Sequence, residues 1–223
     1  MDWINKSYKK SKNLRDHYKL YDIDVYIKDK LPDNIDFDFC LKRVSRLIPN
    51  YLLGGVDIIY VGQFDFLNDR DINALYDSGA IYITNIQDDE ADIIEDIIHE
   101  ISHSLEEKYK NLIYSDGSMM KEFLGKRKKL YYLLKAEGLN PPVEIQTKIN
   151  YDKDIDEYFY NKVGYQKMWN LINGLFITPY SATDLREYFA LGFEYHIQGH
   201  GKDVKSISPI LYARLEDLFN LEE

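Results

Sequence analysis

The stretch IIEDIIHEISHSLEEKY, residues 93–109, constrains the fold more than any other part of this chain. Wound as a helix at about 100° per residue, it gathers Ile94, Ile97, Ile98, Ile101 and Leu105 into one narrow arc. A stripe this apolar has to be covered by another layer of secondary structure. His99 and His103, four residues apart, then fall together roughly 140–180° from the centre of the stripe. The spacing therefore predicts a helix buried along one side by isoleucine, with two imidazoles on the other.

Upstream, DIDVYIKDKL alternates like a strand, and VDIIYVGQF and AIYITNI are β-branched and aromatic, as strands are. The acidic QDDE before the histidine helix suits the positive end of a helix. FDFCLKRVSRLI reads as a helix with Phe39, Leu41, Val44 and Leu47 roughly on one side, and DRDINALYDSGA as a short helix ended by Gly79. Beyond residue 110 helical patterns dominate, interrupted by the loop GLNPPVEIQTKINYDKD. In PYSATDL, the residues Ser181, Thr183 and Asp184 are all good N-caps for the helix LREYFALGFEYHI, which Gly199 and Gly201 are expected to end. PILYARLEDLFNL reads as a last helix. The expected class is α+β. Residues 1–110 would form an α/β lobe holding a small sheet and the histidine helix, and residues 111–223 a mainly helical lobe.

The charge balance limits the partners. At a formal net charge of −10 the chain is a poor match for nucleic acid, whose phosphates call for clustered Lys and Arg. Its one basic run, Lys126-Arg127-Lys128-Lys129, is expected to be a solvated helix face. With Cys40 as the sole cysteine there is no disulfide framework, and its aromatic and apolar neighbours predict a buried structural thiol. No apolar run reaches the length of a membrane span, and the N-terminal residues are too polar for a signal peptide. The expectation is a soluble protein made in the cytoplasm. Its 20 tyrosines point to contact surfaces.

The chemistry lies in His-Glu-x-x-His. Two histidines at i and i+4 can bring one nitrogen each to a single Zn²⁺, and the intervening Glu100 can take a proton from water activated there. A catalytic zinc needs a third protein ligand. Glu187 and Glu194, seven apart, share one side of the later helix, opposite Leu185, Phe189 and Gly192. His196 and His200 are also four apart, but Gly199 and Gly201 are expected to break the helix around them.

HEISH at 99–103, EYFA beginning at Glu187 and Tyr180 seven residues before it together resemble the anthrax lethal-factor-like metallopeptidases and their small relatives, the Pro-Pro endopeptidases. The resemblance covers roughly residues 55–110 and 178–197. It implies a zincin-like fold with zinc bound by His99, His103 and Glu187. It implies Glu100 as general base, Tyr180 as hydrogen-bond donor to the oxyanion, and a peptide or protein as substrate. It also implies that AIYITN forms the cleft edge, where an extended peptide adds by β-pairing. Where the family often has a second acidic residue, four after the ligand Glu, this chain has Leu191. Residues 111–178 look like an enlarged insertion. The alternative is a structural or assembly component on the same fold, for example of a virus particle, since fold does not dictate function.

Overall fold

The structure, a computed structural model, describes residues 16–221 of the chain. These divide into two compact units, with the boundary between Leu105 and Glu106.

The first unit is built on a five-stranded sheet of order β1-β2-β3-β5-β4: β1 (Asp16–Leu20), β2 (Ile23–Ile27), β3 (Ile58–Val61), β4 (Ala74–Asp77) and β5 (Ala80–Ile83). β1 pairs antiparallel with β2, β2 with β3 and β3 with β5 run parallel, and β4 returns antiparallel along β5. Strand alternation divides the residues between two faces. Val25, Ile27, Ile59, Val61, Ile81 and Ile83 are buried. The intervening Tyr26, Tyr60 and Tyr82 are half-buried and stack ring on ring, with centroids 6.1 and 5.5 Å apart.

Among the described residues this unit also has the α-helices α1 (Phe37–Leu47), the single turn α2 (Asp65–Asn68) and the long α3 (Glu90–Lys108), whose last three residues belong to the second unit. Asp36 caps α1 by accepting from the Phe39 N–H. Its inner side is Phe37, Cys40, Leu41 and Val44; Phe39, expected to face inward, is 50% exposed. Cys40 is buried as expected, and burial pushes its thiol up to about 12. On α3, Ile93, Ile97, Ile98, Ile101 and Leu105 are fully buried, so the stripe begins one residue earlier than the sequence reading placed it.

The segment read as a short helix around Ala74 is instead β4. Ser78 and Gly79 both take positive φ, 49° and 89°, as a tight hairpin between twisted strands requires. That hairpin makes β5 an interior strand, and AIYITN is not the sheet edge; β4 is.

The second unit is helical: α4 (Lys110–Tyr114), α5 (Ser118–Ala136), α6 (Lys153–Glu157), α7 (Tyr165–Ile172), α8 (Leu185–Tyr195), α9 (Gly201–Ile207) and α10 (Pro209–Phe219). Phe123, Phe176 and Tyr188 meet edge-on or tilted in its core, with centroids 5.4–6.1 Å apart. The basic run on α5 corrects its sequence reading: Lys128 and Lys129 are exposed, but Lys126 and Arg127 are buried. Lys126 Nζ donates to the carbonyls of Leu175 and Ile207 and to Ser208 Oγ. Arg127 donates to the carbonyls of Lys148 and Thr183. Both cations donate to carbonyls of turns, loops or a helix end, with the charge of Glu122 acting on Lys126 and those of Asp184 and Asp152 on Arg127. α8 also differs from expectation beyond Tyr195. A π turn, His196–His200, with Gly199 at φ 98° leads into α9, which Gly201 opens.

Candidate metal centre

His99, Glu100 and His103 are placed by α3. The helix is held by its isoleucines and by a close backbone approach: a Cβ on Gly55 would lie 2.9 Å from the Ser104 carbonyl oxygen. Glycine is the residue that admits such contact. The two imidazoles stand edge to face with centroids 4.9 Å apart. The helix is less two-sided than its pattern suggests. From Glu100 to Glu106 every residue is buried, His103 and Glu100 included.

Glu100 is held by the sheet. Its Oε2 accepts a hydrogen bond from the Tyr76 backbone N–H on β4 at 2.6 Å. The phenol of Tyr76 in turn donates to the Gly55 carbonyl at 3.1 Å. One turn before His99, the carboxylate of Asp96 accepts from Gln87 Nε2 at 2.9 Å. Burial, foremost, raises the Asp96 carboxyl to about 6, with the charge of Glu100 adding to it. Asp96 was not among the candidate site residues; its place three residues before His99 was the signal available.

Glu187 sits in the first turn of α8. Asp184 caps that helix as expected, its Oδ1 accepting from the N–H groups of Arg186 and Glu187 at 2.8 and 2.9 Å. Before the cap, the 3₁₀ turn Tyr180–Ala182 is bound to its own flank: Ser181 Oγ donates to the Thr178 carbonyl, and Thr183 Oγ1 to the Tyr180 carbonyl. Tyr180 is 38% exposed as a residue, yet desolvation of its phenol, followed by the charges of Glu187 and Asp184, raises its pKa. It therefore remains a proton-bearing donor. The neighbouring Arg186 donates through Nε to Glu106 Oε2 at 2.9 Å, and Tyr114 donates to the other oxygen of Glu106 at 2.8 Å. Neither Glu106 nor Arg186 was singled out in the sequence, since an exposed-looking charge pair eighty residues apart leaves no local pattern.

His99, His103 and Glu187 form a group that could hold a metal ion: each offers one ligand atom, and these atoms lie within 4.8 Å of one another. Two imidazole nitrogens and a carboxylate oxygen are a donor set that suits zinc. Among the described residues no further such group occurs. The other histidine pair is engaged elsewhere: His196 packs against Tyr212 and Phe219, and His200 stacks on Tyr195. Glu194 is half-buried two turns along α8 from Glu187 and is not in the group.

Comparison of the chain with protein-family models, curated proteins and solved structures gives no match. No helix among the described residues is long and apolar enough to cross a membrane.

Proposed function

We infer that this chain is a zinc-dependent endopeptidase, with His99, His103 and Glu187 as ligands, Glu100 as general base and Tyr180 as oxyanion donor. The observation that carries the reading is the clustering of one ligand atom from each of the three residues within 4.8 Å. Three protein ligands, rather than the four of a structural site, leave a position open for chemistry. Zinc supplies Lewis acidity there, making water a usable nucleophile near neutral pH.

The remaining work falls to the chain's own residues. The Glu100 carboxylate takes the proton of the attacking water and hands it to the departing amine nitrogen. Its near-complete burial keeps bulk water from competing for that proton. The Tyr180 hydroxyl donates to the carbonyl oxygen as negative charge gathers on it. A phenol, which ordinarily titrates near about 10, holds that proton at neutral pH. Strand β4 offers backbone groups at an open sheet edge, to which an extended peptide pairs without regard to most of its side chains.

The test is peptide cleavage by purified protein, with and without a chelator, beside Glu100→Gln. The expected result is cleavage that needs the metal and is lost in the variant. Cleavage that survives Glu100→Gln contradicts the mechanism.

A further inference from the structure

The edge strand does more than offer an open side. β4 and β5 pair in the register Ala74↔Ile83, Leu75↔Tyr82, Tyr76↔Ile81 and Asp77↔Ala80. The Thr84 N–H donates to the Asn73 carbonyl at 2.8 Å, which makes 73 and 84 a hydrogen-bonded pair. Because such pairs alternate along an antiparallel ladder, 75 with 82 and 77 with 80 are the next ones. The backbone groups of Ala74 and Tyr76 therefore point away from β5, toward the open edge. Of these outward groups, the Tyr76 N–H is taken by Glu100 Oε2 at 2.6 Å.

We propose that the Tyr76 backbone amide is a positioning group for Glu100, tying one carboxylate oxygen to the sheet edge so that the other faces the attacking water. This rests on the reading of Glu100 as general base. A carboxylate on a helix has freedom about three side-chain torsions, and a base must lie within hydrogen-bond reach of the proton it removes. A short charge-assisted bond to a backbone amide removes most of that freedom, and a backbone donor cannot swing away as a side chain does. Since the amide faces outward, holding Glu100 costs the sheet no ladder bond. The same bond occupies an outward donor of β4, so an extended peptide pairing along this edge finds its first open outward station at Ala74.

The outward geometry permits an unusually clean test. Proline is tolerated on an edge strand where its missing N–H faces away from the ladder. Tyr76→Pro deletes the donor, and Tyr76→Ala deletes the same side chain while keeping the donor. Relative to Tyr76→Ala, Tyr76→Pro is expected to lose about 100-fold in kcat, the scale of an ångström-sized misplacement, with KM little changed. The near-UV circular dichroism of Tyr76→Pro is expected to match that of Tyr76→Ala, since neither loses a ladder bond. Equal kcat for Tyr76→Pro and Tyr76→Ala overturns the proposal, as does a kcat loss in Tyr76→Pro that comes with a changed spectrum, which would mean strand distortion.

A second readout needs no activity and no proline variant. In ¹⁵N-labelled protein the Tyr76 amide proton is expected far downfield, moving upfield in Glu100→Ala. An unmoved resonance overturns the proposal. If the wild type cleaves no peptide while that resonance does move, the endopeptidase reading fails and the contact stands, so the two failures are told apart.

Discussion

The two helices that carry the candidate ligands are held in place by different physics. α3 is fixed by apolar burial: five fully buried aliphatic side chains and a glycine pressed against its backbone. The start of α8 is fixed by directed polar bonds: the Asp184 cap, the Ser181 and Thr183 hydroxyls, and the buried guanidinium of Arg127 on the Thr183 carbonyl. The first arrangement is strong but not directional. The second is weaker per contact yet sets the orientation of one carboxylate. Stability and metal affinity should therefore separate between the two regions.

The sharpest way to break this contrast is Ile97→Ala. Truncating a fully buried isoleucine is expected to cost about 2–5 kcal/mol in chemical denaturation. The metal affinity of the protein that remains folded should stay near the wild-type value. Gly55→Ala comes next. Its Cβ meets the Ser104 carbonyl rather than the far end of a flexible side chain, so the turn that holds Gly55 and the helix must separate, at about 1–3 kcal/mol by the same assay. Asp184→Ala should reverse the pattern: about 1 kcal/mol of stability, but about a tenfold loss of zinc affinity in a chelator competition, because the turn bearing Glu187 loses its anchor. If Ile97→Ala weakens zinc binding as much as Asp184→Ala does, the contrast is void.

The smallest expected effect concerns the buried lysine of the second unit. Burial lowers Lys126 from its ordinary 10.5 to about 8. Between those two values the unfolded chain holds a proton that the folded chain has released, so this group's contribution to stability rises with pH across that window. Lys126→Met should flatten that slope. A wild type and variant with parallel stability profiles from pH 8 to about 9.5, short of the tyrosine titrations, would contradict the assignment.

What the sequence disclosed follows the same division. The isoleucine stripe repeats over several turns, so α3 was legible; the candidate donors were named from the His-Glu-x-x-His spacing and, for Glu187, from the family resemblance. β4 was not: ALYD is too short to tell a period of 2 from one of 3.6, and a positive φ at Ser78, a non-glycine, leaves no mark in composition. The burial of Lys126 and Arg127 was hidden for another reason. Their partners are backbone carbonyls, which every residue carries, as far as 81 positions away. The Tyr76 amide on Glu100 was invisible on the same ground.

Zinc content after dialysis, measured on wild type beside Glu187→Ala and His103→Ala, tests the proposed shared ion most directly. One zinc per wild-type chain is expected, and close to none in either variant, with all three proteins folded by circular dichroism. Full zinc occupancy in folded Glu187→Ala would contradict it.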